Sequence, residues 1–490
     1  MLQYQSLYQV NTRVLLTELS SQLGRRATLD DIEDKTLEQW QECGFQFVWL
    51  LSVWQIGPRS QGISRANVRW LHEFQSTLTD LCDDDIGGSG FAIQKYSVHR
   101  NLGGNEALHR LRNRMKSYGL RLILDFVPNH TGPDHPWVNE HPDYFVQGTD
   151  QDLEREPDIY TRLATKHGEI VFAMGRDPYF PGWIDTLQLN YGNRALQTAM
   201  QEELERIALQ CDGVRCDMAM LLLPEVFQRT WQIPSEPFWP TTVQRIRAKH
   251  PKFTFIAEVY WDLEWELMQQ GFDFCYDKRL HDSLRAGDTP SVRSHLHADL
   301  AYQNRLVRFL ENHDEPRVAS AFSSAQHAAA SVICFLVPGM RFFHHGQLEG
   351  KRVRISPHLI RGPAEAYDTE VAKNYRRLLS ILRLPIVRKG AWKRLEPLEA
   401  WPSNFTHQDF VSFQWLDTDG SLLVVVVNYS DHMSQCRVRL PDLGGGATRP
   451  IRLQDLWDET PYVRDSHELS HSGLFVELPA WGIHVLRVEG

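Results

Sequence analysis

The sequence predicts an α/β protein, a closed (β/α)8 TIM-type barrel with a small domain inserted after its third strand and a β-sandwich at its C-terminal end. Three observations carry that prediction. Short apolar runs alternate with helix-like segments as far as about Lys389, and eight such alternations favour a parallel barrel over an open sheet. Two strand-following connections, at 54–100 and 131–185, are too long to be turns and belong to the rim where barrels carry function. Beyond Lys389 the rhythm changes to short β-rich runs such as SLLVVVVNYS and GIHVLRV, separated by Gly, Pro and Asp.

Taken in order, the expected barrel strands are 8–16, 47–51, 120–126, 213–216, 253–257, 272–276, 306–310 and 340–343. Helical patterns fall between them at 29–44, 105–118, 194–210, 241–250 and 327–336. The domain reading is therefore 1–130 for the first part of the barrel (strands one to three), 131–185 for the inserted domain, 186–388 for the rest of the barrel, and 389–490 for the sandwich. The inserted segment is rich in Pro, His, Asp and aromatics. A hydrophobic content of 42% with 23% charged residues is that of an ordinary globular protein. Net charge of −10 disfavours a nucleic-acid partner, and no run nears the roughly 18 apolar residues that would span a membrane. Seven scattered cysteines without a CxxC pair indicate neither a zinc site nor a disulfide framework. The stretch MLQYQSLYQVNTRVLLTELS lacks the layout of a secretory signal, so a cytoplasmic location is expected.

Chemistry enters at CDGVRCDMAM (211–220), where two charged residues sit inside an apolar strand. Side chains alternate along a strand, which puts Arg215 and Asp217 on the same face. Such a pair is either a structural ion pair or part of a polar cleft, because an unpaired buried charge costs several kcal/mol, about 3–5. The neighbours favour the cleft. Asp125, Asp217, Glu258 and Asp314 all stand at or just past the C-terminal ends of separate expected strands, with His130 and His313 close by in sequence. A barrel gathers those ends into one ring. Several carboxylates without a metal suit glycoside transfer: one attacks the anomeric carbon, and a protonated second donates to the leaving oxygen from roughly 5–5.5 Å away. Arg215 would hold Asp217 ionised. The apolar run FTFIA before Glu258 would raise its carboxyl pKa, as a general acid requires.

The stretches DFVPNH, GVRCD, AEVYW and ENHD resemble, in order and strand context, the four signature segments of the α-amylase family of glycoside hydrolases. The resemblance extends to the insertion after the third strand, which is similar to the family's domain B, and to the C-terminal β-domain. It implies Asp217 as nucleophile, Glu258 as general acid/base and Asp314 as the third carboxylate of a retaining hydrolase of α-glucans or oligosaccharides. Asp125, His130, Arg215 and His313 would line the same sugar subsite, Asp125 being read also as a structural partner of Arg215. Phe91, in GGSGFAIQKY, resembles the family's aromatic platform for the reacting sugar, and no GxGxxG or GK[ST] pattern supports a phosphate cradle there.

Departures from the family's pattern shape the remaining expectations. Met220-Leu221 stand where many amylases have Lys-His. That departure counts against a calcium ion and ordinary acceptor-side contacts, and leaves either an apolar acceptor side or a sugar held by the loop instead. No cofactor is therefore expected as a requirement, and Asn129 is the candidate calcium ligand. Adjacent His344 and His345 point apart on an extended chain and make no metal site, and Asp83-Asp84-Asp85 reads as a solvated acidic loop. The same three carboxylates would serve a transglycosylase or isomerase, since water and a sugar hydroxyl compete for one covalent intermediate. A non-catalytic sugar-binding relative is the alternative outside enzymes.

Overall fold

The computed structural model describes residues 4–440, 443 and 448–489. Eight parallel strands close a barrel in which each neighbours the next in sequence: β1 Ser6–Asn11, β2 Phe47–Leu51, β3 Arg121–Phe126, β4 Gly213–Cys216, β5 Thr254–Ala257, β6 Phe274–Tyr276, β7 Leu306–Arg308 and β8 Met340–His344. Strands such as FVWLL (β2) and GVRC (β4) are buried along their whole length. Parallel strands covered on both sides read as continuous apolar runs for this reason.

One expected strand is corrected. The run 8–16 does not stay extended: β1 ends at Asn11, whose side chain accepts from the Val14 N–H and caps a helix over Thr12–Leu23. Asn at an N-cap satisfies a donor the first helical turn leaves open, and that local bond ends the strand.

The excursion after β2 holds a two-stranded sheet, Trp54–Ile56 with Ile93–Val98, and helices Pro58–Ala66 and Val68–Thr77. The insertion after β3 carries the hairpin Tyr160–Thr165/Gly168–Ala173 and a short pairing of His130–Thr131 with Leu187–Gln188. After the barrel come a six-stranded and a three-stranded antiparallel sheet. Val424 and Leu453 of the larger sheet pack with Cys436, Val438 and Val476 of the smaller in one apolar core.

The chain divides into two compact units, Tyr8–Tyr276 with Val353–Ala364, and the remaining described residues. All seven cysteines are free thiols. No helix among the described residues is long and apolar enough to cross a membrane.

Candidate active site

Strand β4 lies between β3 and β5, with Arg215 level with Asp125 on one side and Ile256 on the other. Arg215 is 1% exposed. Its Nη1 lies 2.5 Å from Asp217 Oδ1 and its Nη2 lies 2.7 Å from Glu258 Oε2. The Nη2 contact is an ion pair outside hydrogen-bond geometry. One buried guanidinium thus bridges two buried carboxylates. Burial works against the cation, but Glu258, Tyr276, Asp217 and Asp125 outweigh it and hold Arg215 well above its ordinary pKa.

The sequence suggested an apolar setting for Glu258, and the structure corrects this. The strand before it is apolar and buried, yet the carboxylate itself meets Arg215, accepts from Met218 N at 2.8 Å and accepts from the Tyr260 hydroxyl at 3.0 Å. Met218 reaches it because its backbone turns into the left-handed region at φ 42°. That conformation costs a non-glycine residue about 1–2 kcal/mol, and it aims the N–H back at β5's end.

Asp125 is fully buried and interacts electrostatically with Arg215 on the neighbouring strand, while its hydrogen bonds go elsewhere. Trp49 Nε1 donates to Oδ1 at 3.1 Å and Ser52 N donates to Oδ2 at 3.0 Å. Burial pushes its pKa up to about 7, with Arg215 and Ser52 pulling the other way. His130 is buried and its pKa falls to about 4, burial again leading and Asp217 opposing. Phe91 is partly exposed, its ring centroid 5.4 Å from the Arg215 guanidinium, beside Trp49 at 5.2 Å and Tyr276 at 5.9 Å. Gly90 is required at its position, since a Cβ there would lie 1.9 Å from Ser52 Oγ.

Asp314 and His313 belong to the other compact unit, on the loop after β7. Asn312 Oδ1 accepts from the Asp314 and Glu315 N–H groups and shapes that turn. His313 is buried, with Nε2 3.0 Å from Asp314 Oδ2, and the Asp314 side chain is 45% exposed.

Asn129 has its carboxamide paired with Gln188: Oδ1 accepts at 3.0 Å and Nδ2 donates at 3.2 Å. No cluster of three His, Cys, Asp or Glu ligands converges near it among the described residues, the one such group being Asp455, Asp458 and His484. Two further expectations change, those for Met220-Leu221 and for the acidic triplet. Met220 and Leu221 are core residues, 0% and 3% exposed, so they do not surface an acceptor subsite. Of the acidic triplet, Asp85 is buried and held bidentately by Arg361 at 2.7 Å, while Asp83 and Asp84 are exposed.

Trp49, Ser52, Tyr260 and Tyr276 shape the site without having been singled out. Tyr260 carried a signal, standing two residues after Glu258 in AEVYW. Trp49 lay inside an apolar run that offered none.

The fold and the bridged carboxylates define a parallel-barrel protein with an acidic cluster at its C-terminal strand ends. Residues 34–270, a little under half of the chain, match the family model "Alpha amylase, catalytic domain". Among curated proteins the chain is 22% identical over 305 residues to alpha-amylase 3 of Dictyoglomus thermophilum, a match covering 57% of each chain. It is 26% identical over 244 residues to an alpha-1,4-glucan:maltose-1-phosphate maltosyltransferase of Cereibacter sphaeroides, covering 48% of this chain and 30% of that one. The chain thus spans about half, or less, of the length of these relatives. The solved α-amylase of Lactobacillus plantarum superposes with a TM-score of 0.69 at 20% identity, covering 99% of both chains. A maltogenic α-amylase of Thermotoga neapolitana gives 0.70 at 16%, covering 99% of this chain and 98% of that one.

Proposed function

We propose that the protein acts on α-glucans or malto-oligosaccharides by double displacement, through a covalent glycosyl–Asp217 intermediate. The observation that carries this reading is Arg215 bridging Asp217 and Glu258. Two carboxylates held on one guanidinium stay close, as a retaining pair at roughly 5–5.5 Å must. Asp217 attacks the anomeric carbon while Glu258, protonated when substrate arrives, gives its proton to the departing glycosidic oxygen. Glu258, now ionised, then takes a proton from the incoming hydroxyl, which attacks the same carbon and frees Asp217. Arg215 keeps Asp217 anionic and oriented. Asp125 and His130 line the subsite, and Phe91 stacks on the ring. No step needs a metal.

The incoming hydroxyl belongs to water in a hydrolase and to a sugar in a transferase. Transfer is the second reading, supported by the maltosyltransferase relatives and by aromatics near the general acid. Trp261, three residues past Glu258, meets Tyr179 edge to face at 5.0 Å, and Tyr179 is 60% exposed. A general acid stands on the leaving-group side, so rings next to it suit an acceptor sugar.

Incubation with maltoheptaose, with and without EDTA, resolves the products by length. Shorter chains only are expected of a hydrolase, and chains longer than the substrate of a transferase. Asp217→Asn should lower turnover on the order of a thousandfold or more. A folded Asp217→Asn protein with undiminished turnover would sink the proposal.

A further inference from the structure

Outside the carboxylate cluster, the helix after β1, the loop after β2 and the turn before Phe91 enclose a cavity of about 320 Å³. Three arginines, Arg13, Arg26 and Arg65, line it together with His99, against a single carboxylate, Asp84. A cationic cavity is unexpected in a chain of net charge −10. Arg13 is 8% exposed, and it donates only to uncharged oxygens, the carbonyls of Gly88 at 2.9 Å and of Pro357. The Arg65 Nε is buried with no hydrogen-bond partner. Neither arginine meets a carboxylate among the described residues, and Asp84 is exposed. Arg26, on the exposed side, donates to Asn101 Oδ1 at 3.0 Å. His99 is driven to about 4 by burial first and then by Arg13, Arg100 and Arg26, so it is neutral near pH 7.

A structural role accounts for Arg13, which ties the Gly88 turn to Pro357. It leaves the empty Arg65 Nε and the missing counter-charge without an explanation. Buried cations are ordinarily paired, and a guanidinium fork matches phosphate oxygens. The volume lies at the small end of the range for ligand pockets, about 300–1,000 Å³, room for more than a bare ion. Polar groups suited to hydroxyls complete the wall: Ser52 Oγ, buried and unpartnered, and Gln61, with Trp54 as an apolar surface. We propose that this cavity is a binding site for a phosphorylated monosaccharide, its phosphate set among Arg13, Arg26 and Arg65 and its hydroxyls facing Ser52 and Gln61. The site is independent of the reading of Asp217 and Glu258, though Ser52 N also holds Asp125.

Thermal unfolding of the full chain tests it, with glucose 6-phosphate, inorganic phosphate and glucose at matched ionic strength. Glucose 6-phosphate should raise Tm saturably, inorganic phosphate should do so only at higher concentration, and glucose should have no effect. Half-saturation should weaken at least about tenfold in Arg65→Gln and in Arg26→Gln, and stay unchanged in Asp217→Asn. The proposal is overturned if glucose 6-phosphate gives no rise or if the rise survives both arginine substitutions. Inorganic phosphate matching glucose 6-phosphate would reduce the site to one for a bare anion, and loss of the effect in Asp217→Asn would place the ligand in the catalytic cleft instead.

Discussion

At the scale of single residues, the two-residue spacing of Arg215 and Asp217 predicted a shared face, and the Nη1–Oδ1 contact of 2.5 Å meets that prediction. What holds Asp125 was not legible in the same way, because Ser52 and Trp49 come from 73 and 76 positions away. Asp125 also makes a pH prediction. Its folded pKa of about 7 lies above the ordinary 3.8, so the unfolded chain releases this proton first as pH rises. Its contribution to stability is therefore fully present below pH 3.8 and is lost as pH climbs through about 7. Asp125→Asn removes the titration while keeping the shape. Wild type should lose stability relative to Asp125→Asn by up to about 1.4 kcal/mol per pH unit between pH 4 and 7. Paired urea titrations across that window measure it, and a pH-independent difference would contradict it.

At the scale of elements, apolar runs located every barrel strand, since parallel strands covered on both faces have little choice of residue. Their ends were less legible. Asn11 stopped β1 through a cap, and Met218 turned the chain after β4 in a left-handed conformation that its residue type does not announce. The turn Asp83–Asp85 shows the same limit, because Arg361, its partner, lies far along the chain. Arg361 grips Asp85 through Nε and Nη2, and Asp85 in turn accepts from Cys82 N at 3.0 Å. Arg361→Ala should destabilise the protein by about 1–3 kcal/mol near pH 7, the cost of leaving a buried acceptor unpaired. The Arg361 bond leads in lowering the Asp85 pKa to about 2, below the ordinary 3.8. That stabilisation is present above pH 3.8 and vanishes as pH falls through 2, so the gap between wild type and Arg361→Ala should close on acidification. Denaturant midpoints at pH 7 and pH 3 compare the two directly.

At the scale of the whole molecule, the antiparallel sheets after Lys389 are knitted into the compact unit that contains β7 and β8. Trp415 is fully buried, donates from Nε1 to Leu336 O at 2.8 Å and meets Tyr4 edge to face at 5.0 Å. The Tyr429 hydroxyl donates to Leu284 O at 2.6 Å. A chain ending at Lys389 would expose that packing surface and strand those carbonyls, so it should aggregate or elute in the void volume on size exclusion. A soluble, cooperatively folding 1–389 fragment would count against this. By itself the sequence determined the barrel, the order of its strands, the position of the long insertion and the acids at the strand ends. Those features are written in local periodicity and in the spacing of charges along strands, which the chain carries without being folded. Only the tertiary structure decided that one guanidinium bridges Asp217 and Glu258, that Asp125 rests on Trp49 and Ser52, that Met220 and Leu221 are core, and that three arginines face one cavity. Those are contacts between segments remote in sequence, and their geometry exists only once burial has fixed which side chains share a space.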